Sequence, residues 1–187
     1  MIDFQDWKNH ERIEFRNQDL QKITIPEYRI KLGLSFDTEL HFENCNIESI
    51  NATCLYLGKK ITIENCVINE LGFFATYFFG GFEMRNCKVK DWASFEAGVH
   101  NLFPNEFIID SCTFDCYVDF FDVYFEGTTR IINNKFLGGS NIGIYGKETA
   151  AFKGKGAEYI FENNEGNIKL VTEDDPFYGS KRDKTSH

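Results

Sequence analysis

Residues 40–47 read LHFENCNI, and this eight-residue pattern, with cysteine at its sixth position, occurs four times in the 187-residue chain. The other three copies are ITIENCVI (61–68), FEMRNCKV (82–89) and FIIDSCTF (107–114). Two later copies, TRIINNKF (129–136) and YIFENNEG (159–166), have asparagine there, and residues 13–20 form a weaker seventh. The sixth positions are 45, 66, 87, 112, 134 and 164, so the chain repeats at intervals of about 22 residues with insertions.

Each copy begins with apolar residues at alternate positions. Leu40 and Phe42 show this spacing, as do Ile61 and Ile63. Alternation with a period of two is typical of a strand with one buried face. Two further short apolar stretches separate successive copies, so we expect three short strands in each repeat.

Repeats of this length without a helical pattern resemble the right-handed parallel β-helix of the pectate-lyase-like superfamily. The resemblance covers roughly residues 13–170. It implies an all-β, single-domain right-handed parallel β-helix, a solenoid of about six to seven turns stacked at ~4.8 Å. A local five-residue spacing of apolar side chains also suggests a pentapeptide-repeat coil, but the longer repeats do not keep that register.

Stacked repeats would align equivalent residues in columns. A corner column of short polar side chains would tolerate the left-handed backbone conformation and form an Asn ladder. An inner column would supply much of the hydrophobic stabilisation. The corner column is Asn44, Asn65, Asn86, Ser111, Asn133 and Asn163, and the inner column is Ile47, Ile68, Val89, Phe114 and Phe136.

The ends of such a coil expose unpaired strands and require caps. We expect residues 1–12, which include Trp7, to form a short N-terminal cap, and residues 13–171 to form the parallel β-helix. Residues 172–187 are polar with few apolar anchors, so we expect a largely disordered C-terminal tail.

Four of the six cysteines, Cys45, Cys66, Cys87 and Cys112, occupy the same position of the repeat. We expect them to point inward as reduced, packed thiols of a cytoplasmic protein. Adjacent turns would also bring their Cα atoms within disulfide distance, so oxidation stays open. The chain has no CxxC pair, and we predict neither a zinc site nor any other cofactor.

The net charge of −9 comes almost entirely from residues 91–129, which hold eight acidic and no basic residues together with ten aromatic ones. Ten aromatic side chains cannot all face inward over two turns, so we expect an acidic surface bordered by exposed rings. The candidate partner-binding residues are Asp91, Trp92, Glu96, Asp110, Asp115, Tyr117, Asp119, Asp122, Tyr124 and Glu126.

This surface predicts a noncatalytic protein that binds or inhibits a basic partner protein, as immunity proteins do. Acidic side chains that only keep a β surface soluble are the simpler alternative. The acidic balance argues against nucleic-acid binding, and no apolar run or leader-like segment indicates a membrane partner. We expect a monomer or homodimer. A self-associating structural solenoid is a further alternative.

The superfamily resemblance also implies a carbohydrate-active alternative, in which carboxylates on neighbouring turns hold calcium and a basic residue takes a proton from an acidic sugar. The repeat aligns Arg85 beneath Asp110 and Lys90 beneath Asp115, and it offers a calcium set of Asp110, Asp115, Asp119 and Asp122. The polygalacturonase signature is missing. His41 and His100 are predicted to be solvated, and we assign no catalytic residue.

Overall fold

The protein is an all-β single domain, seen in a computed structural model that describes residues 7, 10–26, 28–30, 33–145 and 156–170. Its two larger sheets are entirely parallel, and each successive sequence repeat adds one strand to each of them. The predicted all-β class and the single domain are therefore confirmed. The strands are numbered in chain order.

The first sheet contains the opening strand of every repeat. Its strands pair in parallel without a register shift, so Leu40 lies beside Ile61, and Ile61 lies beside Phe82. The order across the sheet is β1 (Arg12–Arg16), β5 (Glu39–Glu43), β8 (Ile61–Glu64), β10 (Phe82–Arg85), β12 (Phe107–Asp110), β15 (Thr129–Ile132) and β17 (Tyr159–Glu162).

The second sheet begins two residues after each left-handed corner. Its order is β2 (Asp19–Thr24), β6 (Asn46–Asn51), β9 (Val67–Gly72), β11 (Lys88–Ser94), β13 (Thr113–Phe114), β16 (Lys135–Phe136) and β18 (Glu165–Gly166), and β14 (Val118–Asp119) also pairs with β11. A register irregularity between Val89 and Trp92 separates the two halves of β11.

The third sheet is small. It contains β3 (Tyr28–Ile30), β4 (Gly33–Phe36) and β7 (Tyr56–Leu57), with β3 antiparallel and β7 parallel to β4. Isolated parallel bridges continue its direction from Tyr56 to Tyr77, from Tyr77 to Val99 and from Val99 to Tyr124. Each repeat up to Tyr124 therefore has a third short extended stretch, as the sequence predicts.

The inner column stabilises the domain because its side chains are removed from water. Ile47, Ile68, Val89, Phe114 and Phe136 are all buried, as predicted. Burying a large apolar side chain contributes about 1.5–3 kcal/mol. Aromatic rings also stack between neighbouring repeats: the centroids of Phe114 and Phe136 lie 5.2 Å apart with their planes nearly parallel.

The corner column adopts the left-handed conformation that the sequence predicts. Asn44, Asn65 and Asn86 have φ angles of 54°, 54° and 52°, and Ser111, Asn133 and Asn163 share the conformation. Asn17 of the weak seventh copy joins them at 53°. Side-chain amides also bond along the column, as between Asn163 Nδ2 and Asn133 Oδ1 at 3.2 Å.

A second corner is left-handed as well, which the sequence did not predict. Cys54, Ala75, Ala97 and Asp122 have φ angles of 54°, 49°, 57° and 52°. This corner follows the second sheet, and the backbone N–H of Ala97 donates to the carbonyl of Phe121 in the next repeat. Its residues share no side-chain chemistry, so only the backbone hydrogen bonds between repeats define it.

The four repeat cysteines lie buried beneath the polar corner. The backbone N–H of Cys45 contacts the Cys66 Sγ at 3.4 Å, and that of Cys66 contacts the Cys87 Sγ at the same distance. All four are free thiols in this structure. Contacts with the thiol of the next repeat, together with burial, raise the pKa of Cys66 and Cys87, which leaves both sulfurs protonated.

Both predicted end regions fall largely outside the described residues. Of the proposed cap at residues 1–12, Trp7 is buried against Phe15 and Phe36, with ring centroids 5.8 and 6.0 Å away. The Thr38 hydroxyl donates to the Trp7 carbonyl at 2.9 Å. Residues 1–6, 8 and 9 and the predicted tail at 172–187 lie outside the part that the structure describes.

Candidate functional site

The acidic window 91–129 does not form one continuous surface. Asp110 lies at the end of β12 in the first sheet, where its carboxylate accepts a hydrogen bond from Arg85 at 2.5 Å. Arg85 also bonds Glu83, so this face carries compensated charge. The alignment of Arg85 with Asp110 is therefore confirmed as an ion pair, and it separates Asp110 from the residues on the second sheet.

Asp91, Trp92 and Asp115 belong to the second sheet. Asp91 is exposed, and 47% of Trp92 is exposed, with its ring so close to Gly72 that a Cβ on this glycine would lie 2.6 Å from it. Asp115 forms an ion pair at 2.8 Å with Lys88. The register Lys88–Thr113 and Val89–Phe114 agrees with the predicted alignment of Lys90 with Asp115, but the ion pair forms with Lys88, which reaches Asp115 diagonally.

Glu96, Asp119 and Asp122 form an acidic cluster beside the second left-handed corner. The pKa of the Glu96 carboxyl is raised by burial and by the negative charges of Asp119 and Asp122. Asp119 is held in place because its Oδ1 accepts hydrogen bonds from the Phe121 N–H and from Asn141 Nδ2, both at 2.8 Å. Asp119 is therefore fixed in position, and three negative charges are concentrated around it.

This cluster differs in its pairing from most of the other described acidic side chains, although Glu11, Asp19, Asp37, Glu70 and Glu162 also have no ion pair among the described residues. Ion pairs between repeats neutralise Asp110, Asp115 and Glu106, and they extend over much of the first sheet. Within the described part of the chain, no basic side chain lies at ion-pair distance from the three carboxylates of the cluster or from Asp91. The missing partner charge makes this the strongest candidate for cation recognition.

Tyr124 belongs to a column of half-buried rings on the third side of the domain. We call Tyr56, Tyr77, Phe79, His100 and Tyr124 the aromatic strip. The Tyr77 centroid lies 5.0 Å from that of Tyr56 and 4.3 Å from that of His100, and His100 lies 5.1 Å from Tyr124. Phe79 stacks on Tyr56 at 5.5 Å. Three of these rings, Tyr56, Tyr77 and Phe79, precede the acidic window, so a search of that window alone does not find the strip.

Glu126 flanks the aromatic strip, since its carboxylate lies 3.3 Å from His100 Nδ1. The prediction that His100 is solvated is wrong: the ring packs between two tyrosines and is half-buried. Burial raises the pKa of Tyr77, with smaller contributions from Tyr56, Asp122 and Glu126. Asp122 therefore acts on both the acidic cluster and the strip, which are neighbours.

The backbone that presents His100 is strained. Val99 and His100 have φ angles of 72° and 41°, and a β-branched residue at positive φ is a true outlier. Buried Asn101 supports this conformation, because its Nδ2 donates to the Thr128 carbonyl at 3.0 Å and its Oδ1 accepts from the Glu126 N–H at 3.3 Å. Such strain persists only where the surrounding structure imposes it.

A loop with exposed apolar side chains follows this segment. Leu102 and Phe103 are 43% and 62% exposed. Asn105 Nδ2 in the same loop donates to the Phe79 carbonyl at 2.7 Å, which fixes the loop beside the aromatic strip. Exposed apolar groups next to half-buried rings are typical of interaction surfaces.

The remaining predicted residue, Tyr117, lies elsewhere. Its hydroxyl donates to the Leu170 carbonyl at 3.0 Å, near the last described residues. The structure therefore groups the charges of Glu96, Asp119 and Asp122, and it sets Glu126 and Tyr124 in contact with His100 of the neighbouring strip. Asp91, Trp92 and Asp115 lie on the second sheet, and Asp110 and Tyr117 lie elsewhere.

The prediction that His41 is solvated is also wrong. His41 is buried between Arg12 and Glu64 of the adjacent strands, with its Nδ1 2.9 Å from an Arg12 nitrogen and its Nε2 3.2 Å from a Glu64 oxygen. Arginine has only donors, so Nδ1 accepts and Nε2 donates. Long charged side chains from the neighbouring repeats cover this outward position.

The proposed calcium set is not assembled as one site. Asp110 and Asp115 are engaged by Arg85 and Lys88 on different sheets. Among the described residues, no group of three or more His, Cys, Asp or Glu side chains is arranged to hold a metal ion. None of the described helical segments has the length and apolar character of a membrane span. No family model, curated protein or solved structure matches the chain.

Proposed function

We propose that this chain is a noncatalytic right-handed parallel β-helix that binds a basic partner protein through an acidic surface. The acidic surface comprises Asp91, Trp92, Glu96, Asp119 and Asp122. One observation carries the proposal: these four carboxylates have no ion-pair partner among the described residues, whereas repeat-to-repeat ion pairs neutralise most of their counterparts.

The β-helix architecture is supported by the way in which both parallel sheets grow. Each repeat contributes one strand to the first sheet and one to the second, always beside the strands of the preceding repeat. Connections between parallel strands of one sheet are right-handed in almost all proteins, which supports the hand. The architecture resembles that of the pectate-lyase-like superfamily.

The raised pKa of Glu96 supports recognition of a cation. Its ionised form is disfavoured by burial and by two neighbouring negative charges. A bound lysine or arginine side chain would offset this repulsion with attraction, so a positively charged partner would stabilise the ionised cluster. Uncompensated charge also accelerates the encounter with an oppositely charged protein.

Trp92 supplies an apolar anchor within the acidic surface. Its ring is 47% exposed and rests over Gly72, where no side chain interferes. Exposed tryptophans surrounded by polar groups are frequent among the residues that dominate binding energy. An aromatic anchor with carboxylates around it fits a partner that combines basic and apolar side chains.

The carboxylates that a calcium-dependent lyase would use are already engaged in ion pairs. Asp110 and Asp115 are neutralised by Arg85 and Lys88, an arrangement that stabilises contacts between repeats. The superfamily resemblance would interpret the alignment of Arg85 with Asp110 as catalytic. A structural ion pair between repeats explains the same alignment.

The test is a calorimetric titration of a lysine octapeptide into wild-type protein and two variants with equal charge changes. The site variant carries Asp91→Asn, Glu96→Gln and Asp122→Asn, and the control variant carries Glu11→Gln, Glu48→Gln and Glu162→Gln at exposed positions elsewhere. We expect the site variant to lose at least tenfold in affinity and the control variant to lose less than twofold. Equal losses in both variants would mean that only net charge matters, and the proposal would be wrong.

A further inference from the structure

The aromatic strip lies beside the acidic surface. The proposed binding of a basic partner through carboxylates and Trp92 does not involve its rings. Asp122 links the two, because its charge acts on both Glu96 and Tyr77. The strip is half-buried, and the strained Val99–His100 backbone holds one of its rings between two tyrosines.

Lysine and arginine interact differently with such a surface. An ammonium group is compact and strongly hydrated, whereas a guanidinium group is planar and weakly hydrated. Guanidinium can therefore stack on an aromatic face while its N–H groups bond a carboxylate at the edge of the ring. The strip offers both features, since the Glu126 carboxylate lies 3.3 Å from His100 Nδ1 and the charge of Asp122 acts on Tyr77.

We infer that the aromatic strip makes the basic partner's arginine side chains, rather than its lysines, the preferred ligands of this surface. This inference rests on the proposed function and narrows it to one partner chemistry. Charge complementarity requires a positively charged partner. The rings beside Asp122 and Glu126 favour guanidinium over ammonium.

The length of the strip indicates how much of a partner it holds. Tyr56, Tyr77, His100 and Tyr124 occupy four successive repeats, which span ~14 Å at ~4.8 Å per repeat. An extended segment of about four or five residues covers this length, and two or three of its side chains face one way. A short peptide with arginine at alternate positions is therefore an adequate probe.

The test compares two peptides of equal length and charge, Gly-Arg and Gly-Lys each repeated four times, by calorimetric titration of the full chain. We expect the arginine peptide to bind about tenfold more tightly, because two or three guanidinium groups can stack on the rings and bond a flanking carboxylate at the same time, which an ammonium group cannot do. Equal affinities, or tighter lysine binding, would overturn the inference and leave the proposed function standing. Failure of both peptides to bind would contradict the proposed function itself.

Two variants locate the preference. Tyr124→Leu should reduce the arginine peptide's advantage at least threefold while lysine binding stays within twofold, and Tyr124→Phe, which keeps the ring, should retain the advantage. Circular dichroism confirms that each variant folds. An unchanged advantage in a folded Tyr124→Leu variant would place the selectivity outside the strip and overturn the inference. The wild-type comparison decides the main point even if the leucine variant fails to fold.

Discussion

The side-chain oxygen of Asn134 accepts a hydrogen bond from the backbone N–H of Cys112 at 2.9 Å. Asn134 is fully buried, and its Nδ2 donates in turn to the Ile109 carbonyl at 2.9 Å. In the earlier repeats a cysteine sulfur occupies the same place, as Cys66 does for the Cys45 N–H. Asparagine and cysteine are therefore two solutions to one buried hydrogen-bonding requirement.

Replacing Asn134 should be costly unless the new side chain accepts this hydrogen bond. Asn134→Leu leaves the buried Cys112 N–H unpaired, so we expect a loss of about 3 kcal/mol in the free energy of unfolding. Asn134→Cys restores the arrangement of the earlier repeats and should cost about 1 kcal/mol. Urea unfolding measures both, and a leucine variant as stable as the cysteine variant would contradict the account.

The left-handed corners predict opposite effects of glycine and valine. Asn65 has a φ of 54°, so Asn65→Gly should change stability by only a few tenths of a kcal/mol, and Asn65→Val should cost about 2 kcal/mol. Thr62→Val in strand β8 is the control and should be nearly neutral, because valine favours strands. Thermal unfolding compares the three, and equal effects of valine at both positions would exclude a conformational cause.

The pH dependence of stability should have opposite signs at two glutamates. The folded pKa of Glu96 is raised above 4.5 by burial, Asp119 and Asp122, so ionised Glu96 destabilises the protein at pH 7. Glu96→Gln should therefore be more stable than wild type at pH 7. This difference should shrink as the pH falls from the folded pKa to below 4.5, and a constant difference would contradict the assignment.

Glu83 provides the contrast. Burial alone would raise its pKa, but hydrogen bonds and charge from Lys60 and Arg85 outweigh burial and hold the pKa below 4.5. Glu83→Gln should thus be less stable than wild type at pH 7. The deficit should vanish as the pH falls through the folded pKa, and thermal unfolding between pH 3 and 7 follows both variants on the same scale.

Thiol reactivity should separate the six cysteines into classes. Cys54 is exposed, burial raises the pKa of Cys116 to about 11, and the four repeat cysteines are buried. A thiol reagent at pH 8 should therefore modify about one cysteine rapidly in the native protein, and Cys54→Ser should abolish this phase. Rapid modification of several thiols in the Cys54→Ser variant would show that the column is open to solvent.

The sequence predicts the columns well because one repeated position imposes one requirement. The Asn44 corner, the Cys45 column and the Ile47 column each follow from residue type at a fixed place in the repeat. The second left-handed corner, which runs through Ala75 and Ala97, is not predictable from the sequence. Backbone hydrogen bonds define that corner, and no side-chain type marks it.

The candidate site was only partly predictable for a different reason. A linear window of charge identified Asp119 and Asp122 but also included Asp110, which the topology places on another sheet. The position of an outward side chain depends on insertions and on neighbouring side chains, as the cover over His41 and the diagonal reach of Lys88 show. Periodicity alone does not specify these contacts.

The most direct test of cation recognition at the acidic surface is an NMR titration of isotope-labelled protein with the lysine octapeptide. We predict that the largest chemical-shift changes fall on Glu96, Asp119 and Asp122 and on the Trp92 indole, with small changes at Asp110 and Asp115. Largest changes at Asp110 and Arg85, or changes spread evenly over all acidic residues, would contradict the account.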